Sequence, residues 1–108
     1  MFIALLDLRS SAADRPAVLA QLDRERAEIR ALPGNLDFRA YAVREDDGAV
    51  AVVHEWADET SFDGYLASDA FARSGTVLAP LLAAPPVSRR FRAEQAETVC
   101  GLPAGADA

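Results

Sequence analysis

The chain has 108 residues, half of them hydrophobic and about a quarter charged, with a formal charge of −6. That length suits one globular domain able to bury somewhat over about 60% of its unfolded surface, and the acidic balance argues against a nucleic-acid partner, which needs a basic face to release phosphate counterions. Cys100 is the only cysteine, so no internal disulfide, cysteine metal cluster or Cys-His nucleophile pair can form.

In chain order, Phe2 to Arg9 begins as an apolar run and reads as a buried central strand. Met1 to Leu8 is short, lacks a basic leader and alternates like a strand, so it reads neither as a signal peptide nor as a membrane span, and a cytoplasmic location is expected. Asp14 can cap a helix with Pro16 in its first turn, and Val18, Leu22, Ile29 and Leu32 recur on one face until Pro33-Gly34 ends it. Leu36 to Glu45 and Ala49 to Ala57 flank Asp46-Asp47-Gly48, a strong hairpin signal. Asp58 and Ser68 each cap a short helix, Pro85-Pro86 stops the second, and Val87 to Glu97 alternates as a last strand. The order β-α-β-β-α-α-β is a ferredoxin-like α+β plan, an antiparallel sheet with helices on one face. One domain over 1–97 with a flexible tail over 98–108 is expected.

Hairpin register decides which side chains meet. A two-residue turn at Asp46-Asp47 or Asp47-Gly48 pairs Tyr41 with Val52 or His54 and places Asp37, Arg39, Tyr41, Val50, Val52, His54 and Trp56 on one face. Leu36, Phe38, Ala40, Ala42, Ala51, Val53 and Glu55 then share the other, and a three-residue turn inverts the assignment. Helices on one side leave the second sheet face bare, which predicts a homodimer.

The run from His54 to Phe71, with its Glu55-Trp56 strand end, Asp58 cap and Ser68-x-x-Phe71 step, resembles the signature of the antibiotic biosynthesis monooxygenase (ABM) superfamily. The resemblance covers roughly residues 1–97. It implies a dimeric α+β barrel with a substrate cleft between sheet and helices in each subunit, lined by Trp56 and its neighbours. Several members of the family oxidise phenols or hydroquinones of aromatic polyketides to quinones with dioxygen as co-substrate and neither metal nor flavin. The deprotonated substrate supplies the electrons, so the protein need only bind, deprotonate and shield it. The chain departs from the family pattern at two places. The helix position commonly occupied by His is Tyr65, and the Asn of some quinone-forming members falls at Val52. Tyr65 and Gly75 also stand where the haem-degrading branch has Trp and His.

The catalytic candidates are therefore His54, the only histidine, as proton acceptor, with Arg39 and Tyr41 stabilising developing negative charge. Trp56, Tyr65, Val52, Phe71 and Gly75 are the substrate-binding candidates. Trp56 and Tyr65 offer ring faces, and Gly75, in phase with Phe71 and Leu78, either opens room for a ligand or permits a helix break. No metal site or cofactor is expected, because a lone histidine cannot supply the usual two-His ligand set and no Gly-rich phosphate loop occurs. The leading reading is a cofactor-independent monooxygenase acting on an aromatic phenol. A cyclase or isomerase working by proton transfer alone, and a dimeric binding protein without catalysis, are the alternatives.

Overall fold

A computed structural model describes residues 1–101. Residues 102–108, the larger part of the expected flexible tail, lie outside the described residues. The elements are β1 (Phe2–Arg9), α1 (Arg15–Arg30), β2 (Asn35–Ala42), β3 (Ala49–Trp56), α2 (Glu59–Leu66), α3 (Asp69–Leu78), a 3-10 turn (Ala79–Leu81) and β4 (Val87–Arg92). The strands form one antiparallel sheet in the order β2-β3-β1-β4, and the helices cover one of its faces, which gives the expected ferredoxin-like architecture.

Local chemistry explains most boundaries. The Asp58 carboxylate accepts from the Ser61 N–H at 2.8 Å and starts α2, and the Ser68 hydroxyl accepts from the Phe71 N–H at 3.2 Å and starts α3. Asp14 holds the N-cap position of α1 without using its side chain. Ser11 organises that turn instead, its hydroxyl and carbonyl both accepting from the Asp14 N–H, and Pro16 fits the first turn because no N–H is needed there. After α1 the chain reverses at Gly34, which has a φ of +79°. A Cβ there would sit 2.0 Å from Ser61 Oγ, so both the backbone conformation and the docking of α2 demand glycine.

The β2–β3 connection corrects the expected register. Ala42 pairs with Val50 and Tyr41 with Ala51, so the connecting residues 44–48 are odd in number. The turn is closed by Ala49 N–H donating to the Asp46 carbonyl at 3.0 Å and by Gly48 N–H donating to Asp46 Oδ1 at 3.0 Å. The Arg15 guanidinium, reaching from α1, donates to the carbonyls of Val43 and Asp46. The Asp-Gly pair thus closes a longer connection, held by outside partners, instead of a two-residue turn. Parity reverses on β2: Phe38 and Ala40 share the helix-covered face with Val52, His54 and Trp56, while Arg39 and Tyr41 fall on the opposite face with Ala51 and Val53. A bulge at Leu36 preserves the pairing of Asn35 with Trp56.

The core lies between sheet and helices. Phe2, Ala4 and Leu8 of β1 and Val50, Val52 and Trp56 of β3 meet Val18, Leu22 and Ile29 of α1, Phe62 and Tyr65 of α2 and Leu78 of α3. Glu25 is buried in the same α1 stripe. The other sheet face carries Ile3, Leu5, Val53, Val87 and Phe91 with no helix over it. Among the described residues no helix is long and apolar enough to cross a membrane.

Candidate functional site

A cavity of about 740 Å³ opens between the inner sheet face and the three helices. Phe38, His54, Ala4 and Arg90 stand in register on β2, β3, β1 and β4, and Phe38, His54 and Arg90 of that row line the cavity. On the helix side, Gly75 of α3 faces open space: a Cβ there would meet no atom within 4 Å. The walls are chiefly apolar, from Leu6, Phe38, Phe62, Tyr65, Phe71 and Leu78. A few polar groups interrupt them, the pattern of a small-molecule site.

His54 is the centre of an aromatic cluster. Its ring lies 5.7 Å from Phe38, 5.7 Å from Phe62 and 5.5 Å from Tyr65, centroid to centroid. The fully buried Trp56 donates its indole N–H to His54 Nδ1 at 2.9 Å and stacks on Tyr65 at 5.2 Å. An indole nitrogen can only donate, so Nδ1 is unprotonated and the neutral ring carries its hydrogen on Nε2. Protonating Nδ1 would oppose two N–H groups, and burial, aided by the nearby Arg90 charge, already lowers the His54 pKa from 6.5 to about 4. Among the described residues no buried side-chain nitrogen or oxygen lacks a partner. Nε2 has no protein partner there, so it opens into the cavity, and the same reasoning applies to the Tyr65 hydroxyl. Burial, with the Glu25 charge, raises the Tyr65 pKa, which keeps that phenol protonated. His54 Nε2–H and the Tyr65 hydroxyl therefore both present hydrogens to the cavity.

Of the other expected site residues, Phe71 and Gly75 line the cavity with Tyr65. Trp56 and Val52 do not: both are buried beneath it, Trp56 as the partner that fixes the His54 ring and Val52 as floor packing. Arg39 and Tyr41 are separated from His54 by the sheet itself, a direct consequence of the odd-numbered connection. Arg39 there pairs with Asp37 at 2.7 Å. Glu55, also on the outer face, is half-buried, and no ion pair with arginine forms within the described residues of this chain.

Glu25, Ser74, Ser88 and Arg90 line the cavity without being among the expected site residues. Arg90 of β4 holds its guanidinium carbon 4.9 Å from the centre of the Phe62 ring, a cation–π contact that leaves its charge at the mouth. Glu25 of α1 is only 7% exposed. Its Oε1 accepts from the Ser74 hydroxyl at 2.8 Å and its Oε2 from the Gln21 amide at 3.1 Å. Burial raises the Glu25 pKa despite those two donors. A signal for Glu25 was present in the spacing Val18, Leu22, Glu25, Ile29, which puts a carboxylate inside an apolar stripe.

A profile of antibiotic biosynthesis monooxygenases matches residues 1–74. No curated protein matches the chain at the sequence level. Solved structures match it closely in fold at low identity. A proposed antibiotic biosynthesis monooxygenase of Deinococcus radiodurans superposes with a TM-score of 0.84 at 18% identity, covering 94% of this chain and 100% of that one. A second proposed antibiotic biosynthesis monooxygenase, from Nitrosomonas europaea, gives 0.80 at 11% identity over 86% and 98%, and a Mycobacterium tuberculosis protein gives 0.80 at 16% over 89% and 98%. At such identities the superpositions speak for the fold.

Proposed function

Because the chain belongs to the antibiotic biosynthesis monooxygenase family, we propose that it oxidises an aromatic, polyketide-like phenol or hydroquinone to a quinone, with dioxygen as co-substrate and no resident metal or flavin. The observation that carries this reading is the cavity itself. Phe38, Phe62, Tyr65 and Phe71 make a slot for a flat ring system, and His54 Nε2–H, Tyr65 O–H and the Arg90 charge supply hydrogens and positive potential to a ring oxygen. Such an environment favours the phenolate over the phenol, and an ionised phenol or hydroxyanthrone is electron-rich enough to reduce dioxygen directly.

For an anthrone the balance is closed. The ring carbon loses two hydrogens and gains one oxygen atom, and the second oxygen atom leaves as water. The protein holds the ring, stabilises its negative charge and keeps bulk water away. None of these tasks calls on Arg39 or Tyr41, which lie across the sheet. We assign the outer face of that sheet to a second copy of the chain in a homodimer, supported by its uncovered apolar side chains.

The test is oxygen consumption with a panel of anthrones and hydroquinones in metal-free buffer, with product mass read in parallel. Quinone products carrying one added oxygen support the reading. An isomer of unchanged mass points to the proton-transfer alternative, and tight binding without turnover of any compound points to a binding protein.

A further inference from the structure

Seating the His54 ring against Trp56 leaves the cavity without the base that a histidine would supply. Of the other ionisable or hydroxyl groups lining it, Arg90 is a cation, Ser74 and Ser88 are neutral alcohols, and Tyr65 retains its proton. Glu25 is the one Brønsted base in that wall. It comes from α1, which packs on β2, whereas Arg90 comes from β4 at the opposite edge of the sheet, and both line the cleft. Charged groups around Glu25 are few: Glu28 and Arg24 on its own helix, and Arg73 on α3, which is already paired with Glu28. Its hydrogen-bond partners, Ser74 and Gln21, are both neutral. A carboxylate so placed costs stability as a purely structural group. Two donors occupy only about half of its roughly four lone-pair directions, so acceptor capacity remains.

We infer that Glu25, positioned by Ser74 and Gln21, is the catalytic residue that accepts the proton of the bound phenol, while His54 and Arg90 hold the negative charge that conjugation carries to a second ring oxygen away from the carboxylate. The inference rests on the oxygenase reading above for the use made of that phenolate. In the step itself the phenolic O–H bond breaks with its electron pair left on the ring oxygen, and a new O–H bond forms on the carboxylate. No electron is transferred. The carboxylate returns the proton to the reduced oxygen, which leaves as water together with the second hydrogen of the ring carbon. Burial, which makes Glu25 more basic than an exposed carboxylate, assists the transfer, and stabilisation of the delocalised charge by His54 and Arg90 closes the remaining gap.

Two measurements separate this inference from the activity it serves. In the first, 2-hydroxyanthraquinone, whose phenolate absorbs at longer wavelength than its phenol, is bound to the wild type, to Glu25→Gln and to Glu25→Asp. Gln keeps the shape and an acceptor for Ser74, and circular dichroism checks that each variant is folded. The wild type is expected to bind the dye as phenolate without releasing a proton to the buffer. Glu25→Gln is expected to bind it as neutral phenol, and Glu25→Asp to restore part of the ionisation. Neutral dye on the wild type, or equal ionisation on wild type and Glu25→Gln, overturns the inference. In the second, oxygen uptake with 1,8-dihydroxy-9-anthrone should fall about 10²- to 10⁴-fold in kcat for Glu25→Gln, the usual range for losing a general base. KM should be little changed and the acid limb of the pH profile lost. Equal turnover by the two proteins overturns the inference. Glu25-dependent ionisation of the dye with no anthrone turnover by the wild type would overturn the oxygenase reading and leave the proton acceptor standing.

Discussion

His54 and Trp56 form a pair whose chemistry follows from their spacing. Two residues apart on one strand, they face the same side, and the indole N–H reaches Nδ1 at 2.9 Å. His54 is the only histidine, so its ¹⁵N-labelled imidazole signals can be assigned without ambiguity. They should show the Nε2–H tautomer and titrate near 4; an Nδ1–H tautomer, or titration near 6.5, would contradict the arrangement. Trp56→Phe removes the donor that fixes the ring and should populate the Nδ1–H tautomer, while the titration stays low because burial and Arg90 set it. The depressed pKa also links folding to pH. Unfolded histidine takes up a proton below about 6.5, whereas folded His54 stays neutral down to about 4. The unfolded state therefore binds more protons in that window, and stability falls as pH drops through it, by roughly 3 kcal/mol at most. Glu25, with its raised pKa, works in the opposite sense at acid pH. The informative measurement is thus the difference in urea stability between wild type and His54→Asn, whose side-chain oxygen can still accept from Trp56. That difference should shrink from pH 6.5 to 4 and be flat above 7. What the sequence could not disclose about these residues was direction: a strand histidine beside a tryptophan suggested a base, and only the seating of the ring showed which nitrogen is engaged.

At the scale of elements, the caps and helix stripes were legible because they are local. Asp58 and Ser68 each sit at the required distance from the N–H they satisfy, and α1 buries Val18, Leu22 and Ile29 as their spacing demands. The hairpin was not legible in the same way. Its parity depends on Arg15 from a helix and Ser10 from the end of β1 holding the connection, contacts that no short-range signal encodes. A two-residue turn puts Arg39 and Tyr41 beside His54, whereas the observed register takes them to the outer face and sets Phe38 opposite His54 in the cavity wall. Gly75 lies inside α3 and faces open space. In α3 it gives up about 1 kcal/mol relative to Ala and leaves space that a side chain would enter. Gly75→Ala should raise stability by roughly 0.5–1 kcal/mol in denaturant titration, while Gly75→Leu should leave the protein folded and abolish binding of 2-hydroxyanthraquinone. Retained dye affinity in Gly75→Leu would place the ligand elsewhere. Gly34 is the contrasting case. Gly34→Ala should be strongly destabilising, because the new methyl meets Ser61 and the φ of +79° remains required.

For the whole molecule the unresolved load is the outer sheet face. Ile3, Leu5, Ala51, Val53, Val87 and Phe91 lie across three strands with no helix over them, and Val87 and Phe91 are 56% and 44% exposed. Arg39 with Asp37, and Arg89, stand among them on the same face, a polar margin around an apolar centre of the kind that marks a protein interface. The face is antiparallel and nearly flat in composition, and a second copy of the chain presents the same pattern, so a two-fold pairing of sheets is self-complementary. It would bury the apolar centre while leaving both cavities, on the far sides of the sheets, open to ligand. Sedimentation at tens of micromolar should show a dimer for the wild type. Val53→Arg introduces like charges across the two-fold axis and should give a monomer whose His54 tautomer and titration are unchanged, since position 53 points away from the helices. Loss of the dimer together with a disturbed His54 would mean that the substitution had damaged the fold. A wild type that sediments as a monomer at these concentrations would overturn the pairing and leave the exposed face to some other partner.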